Sequence, residues 1–112
     1  MPPDDAEQLA AAVFAALTDP TRRALLGELA QTGPATVTEQ ASRVPVTRQA
    51  VAKHLAQLAE AGLVTQDAPV GRRHPYRLNP APIRVALSWL SLLANEWDSR
   101  LSNLERLLEA ER

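Results

Sequence analysis

The chain has no cysteine. Disulfides, thiolate metal sites and cysteine nucleophiles are therefore excluded. Histidine occurs only as His54 and His74, lysine only as Lys53, and aromatic residues make up 4% of the chain. No apolar run approaches the ~18 residues of a membrane helix. The opening segment, Met1–Gln8, is acidic and polar, unlike a signal peptide. A soluble cytoplasmic protein is the expectation. No nucleophile–base pair or cluster of carboxylates stands out, so no enzyme and no cofactor is expected. Internal repeats and low-complexity segments are also missing.

What is abundant is Ala (20) and Leu (17) in 112 residues. Both are strong helix formers, which makes a mainly α fold the default. The length corresponds to a single domain, 1–112. The net charge of −1 hides an asymmetry. Residues 1–42 carry two Arg and six acids, and residues 78–112 carry four Arg and five acids. Residues 43–77 carry six cations (Arg43, Arg48, Lys53, Arg72, Arg73, Arg77) against Glu60 and Asp67, a local net charge of +4. Such a basic third is the electrostatic footprint of a nucleic-acid binder. A chance solvated face is the plainer alternative.

Local signals divide the chain. The pattern Leu9, Val13, Phe14, Leu17 predicts a helix over about Asp5–Leu17. Asp19-Pro20 is an N-cap followed by a proline at the first helical position, opening a second helix to about Gln31 with Leu25, Leu26 and Leu29 inward. Gly33-Pro34 closes it. Thr36-x-x-Glu39 is a capping box that starts a short helix at Val37, ending near Arg43. Val44-Pro45-Val46 forms a turn. Thr47 caps a fourth helix over about Arg48–Ala61, stopped by Gly62. Leu63–Ala68 and His74–Leu78 read as strands around a basic tip, with Pro75 confined to an edge or strand start. A long helix then opens at Pro80 and runs to about Ala110.

This order is that of a winged helix-turn-helix: reader 36–62, wing 63–78, and helices 5–17 and 80–110 for dimerisation. In the fourth helix Ala50, Val51, Leu55 and Leu58 form an apolar face, and Arg48, Gln49, Ala52, Lys53 and Ala56 lie towards the other. Two small Ala residues would let that face lie flat in a major groove. Arg pairs with guanine and Gln with adenine in bidentate fashion. Thr47 and the helix start suit a phosphate, as does Lys53. His54 lies between the faces, as either a structural histidine or a phosphate contact. At the wing tip, Arg72 and Arg73 are candidates for a narrow minor groove or for phosphate, with Arg77 on the return strand for phosphate. Tyr76 is expected to pack the wing onto the domain. An ordinary surface helix and a solubilising basic turn are the structural alternatives.

Ile83, Leu87, Leu90, Ala94, Trp97, Leu101, Leu104 and Leu108 are spaced alternately four and three apart, an a/d heptad pattern. Such a helix outruns a domain of this size, so a second chain is expected along it. Leu9 and Val13 are expected to contribute to the same interface.

The segments LTDPTRRALLGELA, TVTEQASRVPVTRQAVAKHLAQLAEAGLV and GRRHPYRL closely resemble the ArsR/SmtB-type winged-helix repressors over about Val13–Leu78. The resemblance implies a homodimer on operator DNA that represses its own or a neighbouring operon. It implies that Arg48, Gln49, Lys53 and His54 lie on or near the DNA surface, with Arg72 and Arg73 on the wing. Many members sense metals through Cys-x-Cys in the third helix or Asp/His/Glu clusters in the last. Here the third helix lacks Cys and His, and Glu96 and Asp98 two apart make a poor site. The expectation is the metal-independent branch, with the effector, small molecule or protein, unspecified. Pro45 stands where the family often has Gly, so the turn must differ locally. The competing reading is a winged-helix protein-interaction module that does not bind DNA.

Overall fold

The order of elements is α1 (Pro3–Ala16), α2 (Pro20–Thr32), α3 (Val37–Arg43), α4 (Arg48–Glu60), β1 (Val64–Gln66), β2 (Tyr76–Leu78) and α5 (Ala81–Ala110). The computed structural model describes residues 3–111, with side chains from residue 5 onward. Met1, Pro2 and Arg112, included in the expected domain, lie outside the described residues.

The helix starts follow the capping chemistry. The Asp19 carboxylate accepts from the N–H groups of Thr21 (2.7 Å) and Arg22 (3.1 Å), with Pro20 at the first helical position. Thr36 and Glu39 form a complete capping box at α3. The Thr47 hydroxyl oxygen accepts from the Ala50 N–H at 3.1 Å. Each bond satisfies a backbone donor that the first turn leaves without a partner.

The end of α4 is a Schellman motif. The Leu63 N–H reaches Leu58 O (2.9 Å) and the Gly62 N–H reaches Ala59 O (3.0 Å), with Gly62 at φ +78°. Leu58 and Leu63, the hydrophobic partners of that motif, are both fully buried. A Cβ at Gly62 would meet only Pro82 Cγ at 3.8 Å, an ordinary contact. The cost of Gly62→Ala therefore lies in the backbone, at about 1–2 kcal/mol. Thermal denaturation at fixed protein concentration should show a midpoint roughly 5–10 °C lower. An unchanged midpoint would mean that the chain leaves α4 by another route.

Leu25, Leu26 and Leu29 of α2 meet Val51, Leu55 and Leu58 of α4, closed off by Val13, Ala35, Val44, Leu63, Val64 and Ala86. The buried stripe of α1 is Ala10, Val13 and Ala16, whereas Phe14 turns outward and stacks obliquely on Trp89 of α5, ring centres 6.1 Å apart.

The ribbon is antiparallel, pairing Val64 with Leu78, Thr65 with Arg77 and Gln66 with Tyr76. Both strands are shorter than the expected 63–68 and 74–78. The Leu63 N–H is already engaged in closing α4, and neither Pro69 nor Pro75 has an N–H to donate. Beyond Gln66 the ladder continues only as Asp67 N–H to Pro75 O (2.8 Å), and then as a tip where Val70 and Arg73 exchange both backbone bonds at 3.0 Å. Gly71, at φ +63°, opens the two-residue turn between them, as a tight hairpin requires. Tyr76 also exchanges backbone bonds with Ala35 (3.0 and 2.8 Å), so the loop before α3 acts as a third partner of the ribbon.

Only the start of α5 packs on the domain: Pro82 and Ala86 are buried, Ile83 and Trp89 are half-buried, and every residue from Leu90 to Glu111 is exposed. The chain measures 72 × 30 × 20 Å with a radius of gyration of 19.5 Å. A compact domain of this length would have ~13 Å. The excess comes from the projecting helix.

Candidate nucleic-acid interface

Between α3 and α4 the chain turns on Pro45. Val44 is extended (φ −119°, ψ 139°), as a residue before proline prefers, and the Val46 N–H reaches Val44 O at 2.7 Å. That is an inverse γ-turn centred on Pro45, whose ring suits it. The positive φ that a glycine would offer is not used.

α4 divides as its period predicts. Val51, Leu55 and Leu58 are buried and Ala50 is half-buried, while Arg48, Gln49, Ala52, Lys53 and Ala56 are exposed. Thr47 is exposed at the cap, and its own O–H remains available to donate. His54 is half-buried, with Nδ1 out of contact with solvent and without a hydrogen-bond partner among the described residues, in the neighbourhood of Asp19 at the start of α2. The Asp19 carboxyl is held below its ordinary range, first by the Arg22 N–H; the neighbouring His54 and Arg22 add to this, against the opposing effect of burial.

The wing cations differ in their surroundings. Arg72 is exposed and, like Arg48 and Lys53, has no carboxylate within salt-bridge distance among the described residues. Arg77 pairs with Asp67 across the ribbon at 3.3 Å. Arg73 Nη2 donates to Glu39 Oε1 at 2.6 Å, tying the tip to the capping box of α3. That oxygen also accepts the Thr36 N–H at 3.1 Å. The Arg73 hydrogen bond, with those from Thr36, lowers the Glu39 pKa from 4.5 to about 2. A carboxyl shifted this way favours the paired state fully above its ordinary range, and the preference is lost only as pH falls through about 2. Glu39 is therefore ionised, and able to pair with Arg73, at any physiological pH. An open groove of about 540 Å³ lies here between the start of α3 and the wing, bordered by Thr38, Gln66, Arg72 and His74 among others.

The Glu39–Arg73 pair and the Ala35–Tyr76 bridge are not visible in local sequence patterns, because their partners lie 34 and 41 residues apart. Glu39 was recognisable only as half of a capping box.

The expected dimer seam is exposed over most of its length. Leu87, Leu90, Trp97, Leu101, Leu104 and Leu108 are between 41% and 62% exposed, and Ala94 is exposed with them. Leu92, Leu93 and Leu107 widen the strip. Two expected members correct differently. Val13 is 1% exposed in its own chain, so it has no surface left for a partner; α5 packs over that face of α1. Ile83 packs against its own core. Leu9 retains part of its surface.

A short helix, a γ-turn, a capped second helix with an open polar face, and a hairpin tied back to the first helix define a winged helix-turn-helix. A family model described as a helix-turn-helix domain matches residues 17–67. An ArsR-like transcriptional regulator from Rhodococcus sp. RHA1 has a similar structure, with a TM-score of 0.80 and 39% identity over 90% of this chain and 93% of that one. The chain belongs to the ArsR family of helix-turn-helix transcriptional regulators. It is also 38% identical over 96 residues to the HTH-type transcriptional regulator Rv2034 of Mycobacterium tuberculosis, covering 86% of this chain and 85% of the relative. The homodimeric winged helix-turn-helix DNA-binding domain of Mb0332 from Mycobacterium bovis aligns with a TM-score of 0.62 and 26% identity, over 83% of this chain and 84% of that one.

Among the described residues no helix is long and apolar enough to cross a membrane, and no three His, Asp or Glu gather where they could hold a metal ion.

Proposed function

We propose that this regulator is a homodimeric repressor that reads a palindromic operator at its own or a neighbouring operon. The observation that carries the reading is the solvent-facing side of α4, where Arg48, Gln49 and Lys53 stand around the small Ala52 and Ala56 with no ion-pair partner among the described residues. Among the described residues nothing competes with DNA for that face. Arg48 and Gln49 read base edges in the major groove, while Thr47 and Lys53 hold phosphates. His54, at the margin of the face, lies close enough to approach the backbone. The wing carries Arg72 to the minor groove or to phosphate, with Arg77 on the return strand; Arg73 stands beside Arg72 but is held by Glu39.

One such reader has too little surface for specificity, and a dimer doubles it. The exposed seam of α5 calls for a second copy, and the related Mb0332 domain is homodimeric. Two-fold symmetry then sets the half-sites about 10 bp apart, or a multiple of that. The third helix carries no cysteine or histidine, which supports control by something other than a thiolate-bound metal: a small molecule, a protein or simple autorepression.

The test is binding to a duplex from immediately upstream of the protein's own gene, measured across salt concentrations. Affinity should fall steeply as salt rises. Arg72→Ala should weaken binding to all sequences alike, whereas Gln49→Ala should change the preference among them. If both variants act alike, the division into phosphate and base contacts is wrong.

A further inference from the structure

The wing is a poor hairpin by its backbone alone. Three residue pairs form the ladder, and two prolines interrupt the way to the tip. A two-stranded ribbon of this size is marginal in water. Arg73 closes the tip turn, exchanging both of its backbone bonds with Val70. Wherever the Arg73 side chain is held, the tip follows.

That side chain is held by Glu39. The Glu39 carboxylate is itself fixed, because the Thr36 N–H binds it and the Glu39 N–H binds Thr36 Oγ1 at 3.2 Å. The anchor thus sits on the first helix of the reader, 34 residues back in the chain. Arg72, the neighbour of Arg73, has no such partner among the described residues. Glu39 already offsets the Arg73 charge through Nη2, so a phosphate approaching the remaining N–H donors would meet a compensated cation with a carboxylate beside it.

We infer that Glu39 and Arg73 form a clamp that fixes the wing to α3, and that Arg73 is a positioning residue which aims Arg72 at the DNA without touching it. The inference rests on the DNA-reading function proposed above. It separates two adjacent arginines that the sequence presents as equivalent, and it assigns Glu39 a part in DNA binding.

Glu39→Gln is the key variant, because Gln also completes a capping box but cannot form the ion pair. Amide hydrogen exchange of the free protein reports on the clamp. The N–H groups of Val70 and Arg73 should exchange about 2–5-fold faster in Glu39→Gln and in Arg73→Ala, the range expected of an exposed ion pair, and at the wild-type rate in Arg72→Ala. Binding to the upstream duplex over a salt series reports on the contacts. Arg72→Ala should reduce the slope of log K against log salt by about 1.8, one phosphate contact in each protomer of the dimer. Arg73→Ala should weaken binding several-fold at every salt concentration while keeping the wild-type slope. A slope loss in Arg73→Ala equal to that in Arg72→Ala would overturn the inference, as would wild-type exchange at the tip of Glu39→Gln. Failure of the wild-type protein to bind the duplex at any salt would overturn the DNA-reading function and the clamp's role in it; the exchange rates would still decide whether the clamp holds the wing.

Discussion

Trp97→Asp is expected to turn the dimer into a monomer. Trp97 is 61% exposed on one chain and stands midway along the seam from Leu87 to Leu108. Burying an aromatic ring of ~150–250 Å² is among the largest single contributions an interface can contain. Two-fold symmetry doubles the change, since both copies lose the ring and gain a carboxylate. An ionised Asp inside an apolar seam also lacks a partner and resists desolvation. A dissociation constant raised by at least ~10³ follows, about 4 kcal/mol. Sedimentation should give a mass near 12.2 kDa for the variant and twice that for the parent. Helix content should fall as well. Every residue from Leu90 to Glu111 is exposed in one chain, and helical stability in proteins comes mostly from packing an apolar face, which the partner supplies here. Operator affinity should collapse with the loss of the second half-site. A variant that sediments as a dimer would refute the seam.

The second large effect is expected from Ala52→Glu. Ala52 is exposed on α4, one turn after Arg48 and one before Ala56. Glu is nearly as good a helix former as Ala, and an exposed substitution of this kind changes stability by about 0.5 kcal/mol or less. Thermal denaturation should therefore be unchanged. The longer side chain would hold the helix off the groove floor and set a carboxylate among phosphates and base acceptors. Operator affinity should fall ~100-fold or more, about 2.7 kcal/mol. The pairing of intact folding with lost binding separates the two readings of this fold. If Ala52→Glu binds DNA like the parent, the open face of α4 is not the reader, and a protein-interaction surface becomes the better account of it.

Much of the architecture was legible in short windows of sequence. The N-caps Asp19, Thr36 and Thr47 sit at the helix starts expected of them, and Gly62 ends α4 as expected. These signals are legible because cap and helix are bonded within three or four residues. The faces of α4 were equally clear, since its period alone separates Val51, Leu55 and Leu58 from Arg48, Gln49 and Lys53. The strands were overestimated, because a strand extends only as far as its partner can donate. Pro69 and Pro75 deny the wing those donors, and α4 takes the Leu63 N–H. The inward face of α1 differs from expectation at Phe14, while Val13 faces inward as expected but is buried within its own chain rather than left for a partner. The composition of α1 allows more than one stripe, and α5 selects Ala10, Val13 and Ala16 while Phe14 is left against Trp89.

By itself, then, the sequence determined the helices and their caps, the turn at Pro45, the basic third of the chain and the a/d repeat of α5, each written in bonds or spacings a few residues long. Tertiary structure alone decided which cations are free. Arg72 and Arg73 are chemically identical neighbours, yet one faces solvent and the other is held by Glu39. It also decided that most of the α5 repeat lies outside the domain rather than folded back onto it. Both outcomes depend on contacts between residues far apart in the chain, which form only when helix packing brings the wing to α3 and carries α5 past the edge of the core.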